Sequence, residues 1–118
     1  MADLEAQAVA RYVQVAPQKI RRILALIRGR PADEALEVLR FAASPTAGDV
    51  GKVLRSAIAN AEKNHGMNRD RLVVHRAFAD EGPTRRWRRF GARGRFKPLL
   101  RRSSHLTVIL REQVGEPA

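Results

Sequence analysis

Gly82-Pro83-Thr84-Arg85-Arg86-Trp87-Arg88-Arg89-Phe90-Gly91-Ala92-Arg93-Gly94-Arg95-Phe96-Lys97-Pro98-Leu99-Leu100-Arg101-Arg102-Ser103-Ser104-His105 holds nine basic residues and no acidic one. Such a stretch cannot enter a core, because unpaired cations are too costly to bury. Nor does it read as a helix, since Gly82-Pro83 opens it and Gly91, Gly94 and Pro98 interrupt it. Strand-like segments lie on both sides. The reading that follows is a long antiparallel hairpin that continues the two flanking strands past the body and turns near Gly91-Ala92-Arg93-Gly94. Ten residues per arm would reach about 30 Å. A two-stranded ribbon is marginal in water by itself, so a partner surface is expected to hold it. Three of the six aromatic residues, Trp87, Phe90 and Phe96, also fall here. Guanidinium forks that bind phosphate, interleaved with rings that stack on bases, form the pattern expected of RNA binding.

Outward from the arm, 71–80 reads as a strand with Leu72, Val74 and Phe78 on one parity and Arg76 interrupting. A second strand, 104–111, places Leu106, Val108 and Leu110 inward, with Thr107 and Ile109 opposite. A third is expected over 8–16, where Val9, Val13 and Val15 share a parity with Arg11, and Tyr12 and Gln14 take the other. Three helices lie between. Pro17 opens the first, whose buried stripe is Ile20, Ile23, Leu24 and Ile27 and whose left-handed stop is Gly29. Pro31 and Asp33 start the second, with Ala35, Leu36 and Leu39 inward and Phe41 expected to pack at its end. Ser44 as cap and Pro45 in the first turn open the third, with Val50, Val53, Leu54, Ala57, Ile58 and Ala61 on its face. Asn64-His65-Gly66 ends it. The order is one strand, three helices, two strands. The expected fold class is therefore α+β: three helices packed on a small three-stranded antiparallel sheet, with a long protruding β-hairpin. The chain reads as a single domain, 1–118, with a body of about 8–81 and 104–112 and an arm of about 82–103. The tail Val114–Ala118 is expected to fray.

Composition agrees. Of 118 residues, 30 are Val, Ile, Leu or Phe, enough for a small aliphatic core. The net charge is +11, with 23 basic against 12 acidic residues. Residues 1–81 contribute only +3 of this and residues 82–105 contribute +9. An excess so localised calls for a polyanion. A membrane surface fits less well, because no amphipathic helix carries the charge. The longest apolar run, Ile23–Ile27, is far short of the roughly 20 residues of a membrane span. The acidic opening Met1–Glu5 lacks the apolar stretch of a signal peptide, so a cytoplasmic location is expected. Cysteine is absent, which removes disulfides, thiolate metal sites and cysteine catalysis.

No catalytic or metal constellation emerges. His65 reads as part of a helix stop and His75 as a strand-face residue. His105 has no partner at ligand spacing. Ser103-Ser104-His105 would alternate faces on a strand, which separates any nucleophile from its base. Asp80-Glu81 reads as a solvated strand end or a partner for arginine. The glycines of 91–94 do not open a helix, as a nucleotide-binding loop would. No enzyme, metal or cofactor is expected.

Three separated segments then carry a resemblance. They are Ser56-Ala57-Ile58-Ala59-Asn60-Ala61-Glu62-Lys63-Asn64-His65-Gly66, Asp80-Glu81-Gly82-Pro83-Thr84 with Gly94-Arg95, and Arg102-Ser103-Ser104-His105-Leu106-Thr107-Val108. With Ala10–Val13, Pro17–Lys19 and Leu26–Gly29, they strongly resemble large-subunit ribosomal protein number twenty-two, bacterial type, over roughly 8–112. The resemblance implies a structural protein at the outer surface of the large subunit, near the exit of the peptide tunnel. It implies a role in early assembly and contacts with large-subunit rRNA and neighbouring ribosomal proteins. It implies a hairpin tip in the tunnel wall near the macrolide site, meeting the nascent polypeptide, with no membrane and no homo-oligomer. The RNA-binding set expected here is Arg11, Lys19, Arg85, Arg86, Trp87, Arg88, Arg89, Arg93, Arg95, Lys97, Arg101, Arg102, Ser104 and His105. The tip set is Arg86, Trp87, Arg88, Arg89, Phe90, Gly91, Ala92 and Arg93. Where relatives often carry Pro-Arg-Ala, this chain has Phe90-Gly91-Ala92, a departure at the tip on whose shape, by the resemblance, stalling and macrolide response depend. The alternative from another class is a free-standing basic DNA-binding or nucleic-acid-chaperone module using a β-ribbon. Such a module would usually dimerise, and no dimerisation helix is evident.

Overall fold

The last strand in the sequence occupies the middle of the sheet. The computed structural model describes residues 5–90 and 96–113, with 85–90 and 96–101 described by their backbone. In chain order the elements are β1 (Glu5–Val13), α1 (Pro17–Ile27), α2 (Ala32–Phe41), α3 (Pro45–His65), a 3-10 turn (Arg69–Arg71), β2 (Leu72–Glu81), β3 (Arg85–Phe90), β4 (Phe96–Arg101) and β5 (Ser104–Glu112). β1, β5 and β2 form one antiparallel sheet in that order, and β3 and β4 pair as a separate two-stranded sheet. β5 is central because it is the most apolar strand. Leu106, Val108 and Leu110 are fully buried beneath the helices, and Thr107 and Ile109 on the other face are buried as well.

The helices form as their apolar spacing requires. Ile20, Ile23, Leu24 and Ile27 of α1 are buried, as are Val50, Val53, Leu54, Ala57, Ile58 and Ala61 of α3. α3 lies over β1 and β5, α1 over β2, and α2 packs on α3 and α1. Gly29 (φ +78°) and Gly66 (φ +62°) take the left-handed conformation expected at the helix ends. Ser44 stands at the N-cap of α3, but its side chain makes no capping bond; the turn closes instead through Ala47 N–H donating to Ser44 O at 3.1 Å. Phe41 does not pack at the end of α2. It is 81% exposed, because α2 turns Ala32, Ala35 and Leu39 inward, with Leu36 half-buried.

Two strands depart from simple alternation, each through a bulge. β1 begins at Glu5 and ends at Val13, earlier at both ends than the valine pattern predicts. Its buried residues are Ala6 and Ala8, with Val9 46% exposed, since small side chains suit a strand lying close under α3. Ala10 pairs with Leu106 and Val13 with Ser104, so β1 carries one extra residue there. Tyr12, at φ +59°, absorbs the kink. The extra residue switches parity and leaves Val13 packed against the core beside Ala10. In β2, Val74 pairs with Leu110 and Arg76 with Ile109, which leaves His75 extra. Parity switches again: Leu72 and Val74 are buried before the bulge, Ala77 and Ala79 after it. Phe78, expected inward, is therefore on the open face and half-buried, with the Arg76 guanidinium 5.5 Å from its ring centre.

The β2 edge is capped along its length and the β1 edge at one point, where open edges would invite unwanted pairing. Along β2, Gly29 N–H donates to Val74 O and Val74 N–H to Arg30 O, both at 2.9 Å. Arg28 Nε then donates to Ala77 O at 2.9 Å, and Arg21 Nε and Nη2 donate to Ala79 O at 3.2 and 2.8 Å. On β1, Asn60 Nδ2 donates to Gln7 O at 3.0 Å. Body cations meet body acids in Arg30–Glu34 (2.7 Å), Arg69–Asp33 (2.9 Å) and Arg111–Glu5 (2.8 Å). Asp33, through its hydrogen bond and then its charge, raises the Arg69 pKa above the ordinary value.

Leu54 is fully buried between helices and sheet. Leu54→Ala is expected to lower the unfolding free energy by about 2–5 kcal/mol, read as a reduced urea midpoint at unchanged slope.

Candidate nucleic-acid interface

The hairpin is joined to the body through a narrow neck. β2 and β5 pair up to Glu81 and Ser104, and β3 and β4 begin again at Arg85 and Arg101. The flanking strands therefore do not run on without interruption, as the sequence suggested. Gly82-Pro83-Thr84 and Arg102-Ser103 break them into two sheets. Gly82 N–H donates to Ser103 O at 2.9 Å, and Ser103 Oγ donates to Pro83 O at 2.8 Å. The approach at Gly82 is close: a Cβ there would lie 2.5 Å from Ser103 Oγ and 3.2–3.3 Å from the Ser103 carbonyl atoms. Only glycine fits this crossing without displacement.

Ser104 and His105 fasten the neck to the end of β1 and the residues just after it. Ser104 is fully buried and its Oγ donates to Val15 O at 2.6 Å. His105 Nδ1 accepts the Tyr12 N–H at 3.2 Å, and the two rings meet edge to face at 5.0 Å. Tyr12 is thus at the bulge for a reason: its backbone leaves the ladder and is captured by His105. The two hydroxyls and the imidazole hold chain crossings, and no nucleophile–base pair exists among Ser103, Ser104 and His105.

Beyond the neck, β3 and β4 pair in the register Arg85↔Arg101, Arg86↔Leu100, Trp87↔Leu99, Arg88↔Pro98, Arg89↔Lys97 and Phe90↔Phe96. Six residues per strand span about 20 Å. Two of the six positions set a cation opposite a cation, which disfavours pairing. Pro98 lacks a ladder donor, which a two-stranded ribbon tolerates because both its strands are edges. The chain measures 66 × 27 × 20 Å, and its radius of gyration of 17.6 Å exceeds the roughly 13.5 Å of a compact chain this long.

The other expected residues sit as follows. Arg11 is exposed within the β1 bulge, Lys19 is exposed in the first turn of α1, and Arg102 is exposed at the neck. Gly91, Ala92, Arg93, Gly94 and Arg95, with the expected turn, lie outside the described residues, as do Met1–Leu4 and the tail 114–118. Sequence reasoning missed Arg21, Arg28 and Arg76 as a group. Arg21 lies on α1 and Arg28, seven residues on, is the residue that follows its last turn, and Arg76 interrupted the strand alternation where the bulge lies. Among the described residues no cluster of His and carboxylate groups could hold a metal, and no helix is long and apolar enough to cross a membrane.

The family profile described as Ribosomal protein L22p/L17e matches residues 8–111. The large ribosomal subunit protein uL22 of Thermoanaerobacter pseudethanolicus is 53% identical over 110 residues, covering 93% of this chain and 99% of that protein. That of Heliobacterium modesticaldum is 44% identical over 113 residues, covering 96% and 81%. That of Carboxydothermus hydrogenoformans is 43% identical over 110 residues, covering 93% and 97%.

Gly82→Ala is expected to push Ser103 Oγ off Pro83 O and lower stability by about 1 kcal/mol, one net hydrogen bond. Ser103→Ala removes the nearest clashing atom, so the double variant should lose less than the sum of the singles in thermal melts.

Proposed function

Because the chain belongs to the ribosomal protein L22p/L17e family, we propose that it binds large-subunit rRNA chiefly through its basic hairpin. Membership makes it a structural, non-enzymatic constituent of the large ribosomal subunit. It also favours this reading over a free-standing DNA-binding module. The observation that carries the RNA-binding proposal is the separate β3–β4 ribbon whose register opposes Arg85 to Arg101 and Arg89 to Lys97. Residues 82–105 contain no carboxylate to relieve that repulsion. Phosphates supply the missing charge, and each contact releases counterions.

In this reading the body, about 8–81 and 104–112, is a base that aims an arm of about 82–103. Arg85, Arg86, Arg88, Arg89, Arg93, Arg95, Lys97, Arg101 and Arg102 neutralise phosphates, while Trp87, Phe90 and Phe96 stack or fill gaps in folded RNA. Arg11 and Lys19 add contacts from the body. Ser104 acts from inside by fixing the neck, and His105 by anchoring Tyr12. An arm that bridges distant rRNA segments favours a role early in assembly, when such segments must be brought together. The tip, Arg86 to Arg93, forms part of the peptide-tunnel wall near the macrolide site and meets the nascent chain. Neighbouring ribosomal proteins flank the body, and no second copy of the chain is required.

Arg86→Glu with Arg89→Glu is expected to weaken rRNA binding and to lower the log–log salt slope by about 1.4–1.8, at about 0.7–0.9 per contact. The body's melting transition should stay in place. Unchanged affinity and slope would reject the role given to the arm.

A further inference from the structure

Tyr12 stands in a conformation that a side chain resists. At φ +59° it is the one non-glycine residue in the left-handed region among those described. A bulky residue persists there only where its surroundings hold it, and such outliers gather at working parts of a fold. Burial of the ring does not account for it, since Tyr12 is 61% exposed. What holds it is His105, whose Nδ1 accepts the Tyr12 N–H at 3.2 Å and whose ring meets the phenol ring edge to face at 5.0 Å.

The place of this contact matters. Ala10 pairs with Leu106 and Val13 with Ser104, so the β1 bulge falls opposite His105. On its other side His105 pairs with Asp80, and Ser104 with Glu81. Ser103 O then accepts the Gly82 N–H, and the arm begins at Arg101. The root of the arm is therefore held from two sides. The β2 side passes into the arm through Gly82, a residue whose backbone gives readily. The β1 side is held by the bulge, and just after it Val15 N–H donates to Val13 O at 2.8 Å while Val15 O accepts the Ser104 hydroxyl at 2.6 Å. A bulge bends its strand and raises the local twist, so its geometry sets the angle at which β1 braces the root.

We propose that Tyr12 and His105 are positioning residues for RNA capture: they form a latch that fixes the direction in which the hairpin leaves the body, so that the arm meets rRNA already aimed. Neither side chain needs to touch RNA. The latch spares the complex the cost of selecting one arm direction among many. The proposal rests on the rRNA-binding reading of the hairpin, and the experiment separates the two.

Asparagine can offer its amide oxygen near the position of the histidine Nδ1, whereas glutamine carries it out to that of Nε2. His105→Gln is expected to weaken rRNA binding about tenfold, the loss when only about a tenth of the arms are correctly aimed. Its log–log salt slope should equal the parent's, because the finished complex makes the same phosphate contacts. His105→Asn should keep most of the affinity. Tyr12→Gly suits the positive φ and removes the ring, so it should melt close to the parent and still bind more weakly. A merely structural residue would lose affinity only in step with melting. A lowered slope in His105→Gln would make His105 a phosphate contact and overturn the latch. Unchanged affinity, or an asparagine variant no better than the glutamine one, would overturn it as well. The chain has no cysteine of its own, so spin labels at Lys52→Cys on α3 and Arg88→Cys on β3 report the arm's direction in the free protein. Their distance distribution should be narrower in the otherwise unaltered chain than with His105→Gln, and equal distributions reject the latch. Should the distributions differ while Arg86→Glu with Arg89→Glu leaves rRNA affinity and slope unchanged, the latch's hold on the arm stands and the RNA-binding reading of the hairpin falls.

Discussion

The placement of the arm depends on one close backbone crossing, Gly82 against Ser103, which joins the central strand β5 to a ribbon whose register sets Arg85 opposite Arg101 and Arg89 opposite Lys97. The β3–β4 ribbon has backbone pairing in its favour, while its cross-strand charge opposes it. Among the described residues, the root carries a set of specific bonds. Gly82 and Ser103 cross at a distance that excludes a Cβ, Ser103 ties Pro83, Ser104 ties Val15, and His105 ties Tyr12. These contacts join the arm to the central strand β5, whose two faces are both buried.

Arginine does three different jobs in this chain, separated by location. On the body surface it meets carboxylates, as in Arg30–Glu34 and Arg69–Asp33. Such exposed pairs are individually worth little, but they leave the body nearly neutral. At the β2 edge, Arg21 and Arg28 donate to backbone carbonyls that would otherwise attract another strand. In the hairpin, no acid is available in the segment at all. Lysine could supply the charge in the third setting. It could not match the second as well, where the planar fork lets Arg21 donate from Nε and Nη2 to one carbonyl oxygen.

Much of this was legible in the residues. The helix stripes of α1 and α3 needed only the 3.6-residue period, because a helix on a sheet has one buried side whatever its neighbours. The hairpin followed from charge and from Gly and Pro positions. The strands were harder. The valines of β1 suggested one parity, yet Ala6 and Ala8 are the buried residues. Phe78 suggested an inward position, yet Ala77 and Ala79 take it. In both strands a single extra residue resets the alternation, at Tyr12 or at His75. Phe41 reads as a core residue from its hydrophobicity, but α2 has no partner on that side.

By itself the sequence determined the fold class, the three helices, the location of the charge excess and the family. Each of these depends on local period, composition or motif, which a chain carries in one dimension. Tertiary structure alone decided that β5 sits between β1 and β2, that Gly82 and Ser103 form the neck, and that Arg21 and Arg28 reach the β2 edge near Arg76. Those outcomes depend on which strand edge meets which helix across dozens of residues. Pairings of that kind are chosen by packing and by the need to satisfy every buried backbone group, and no local pattern encodes them.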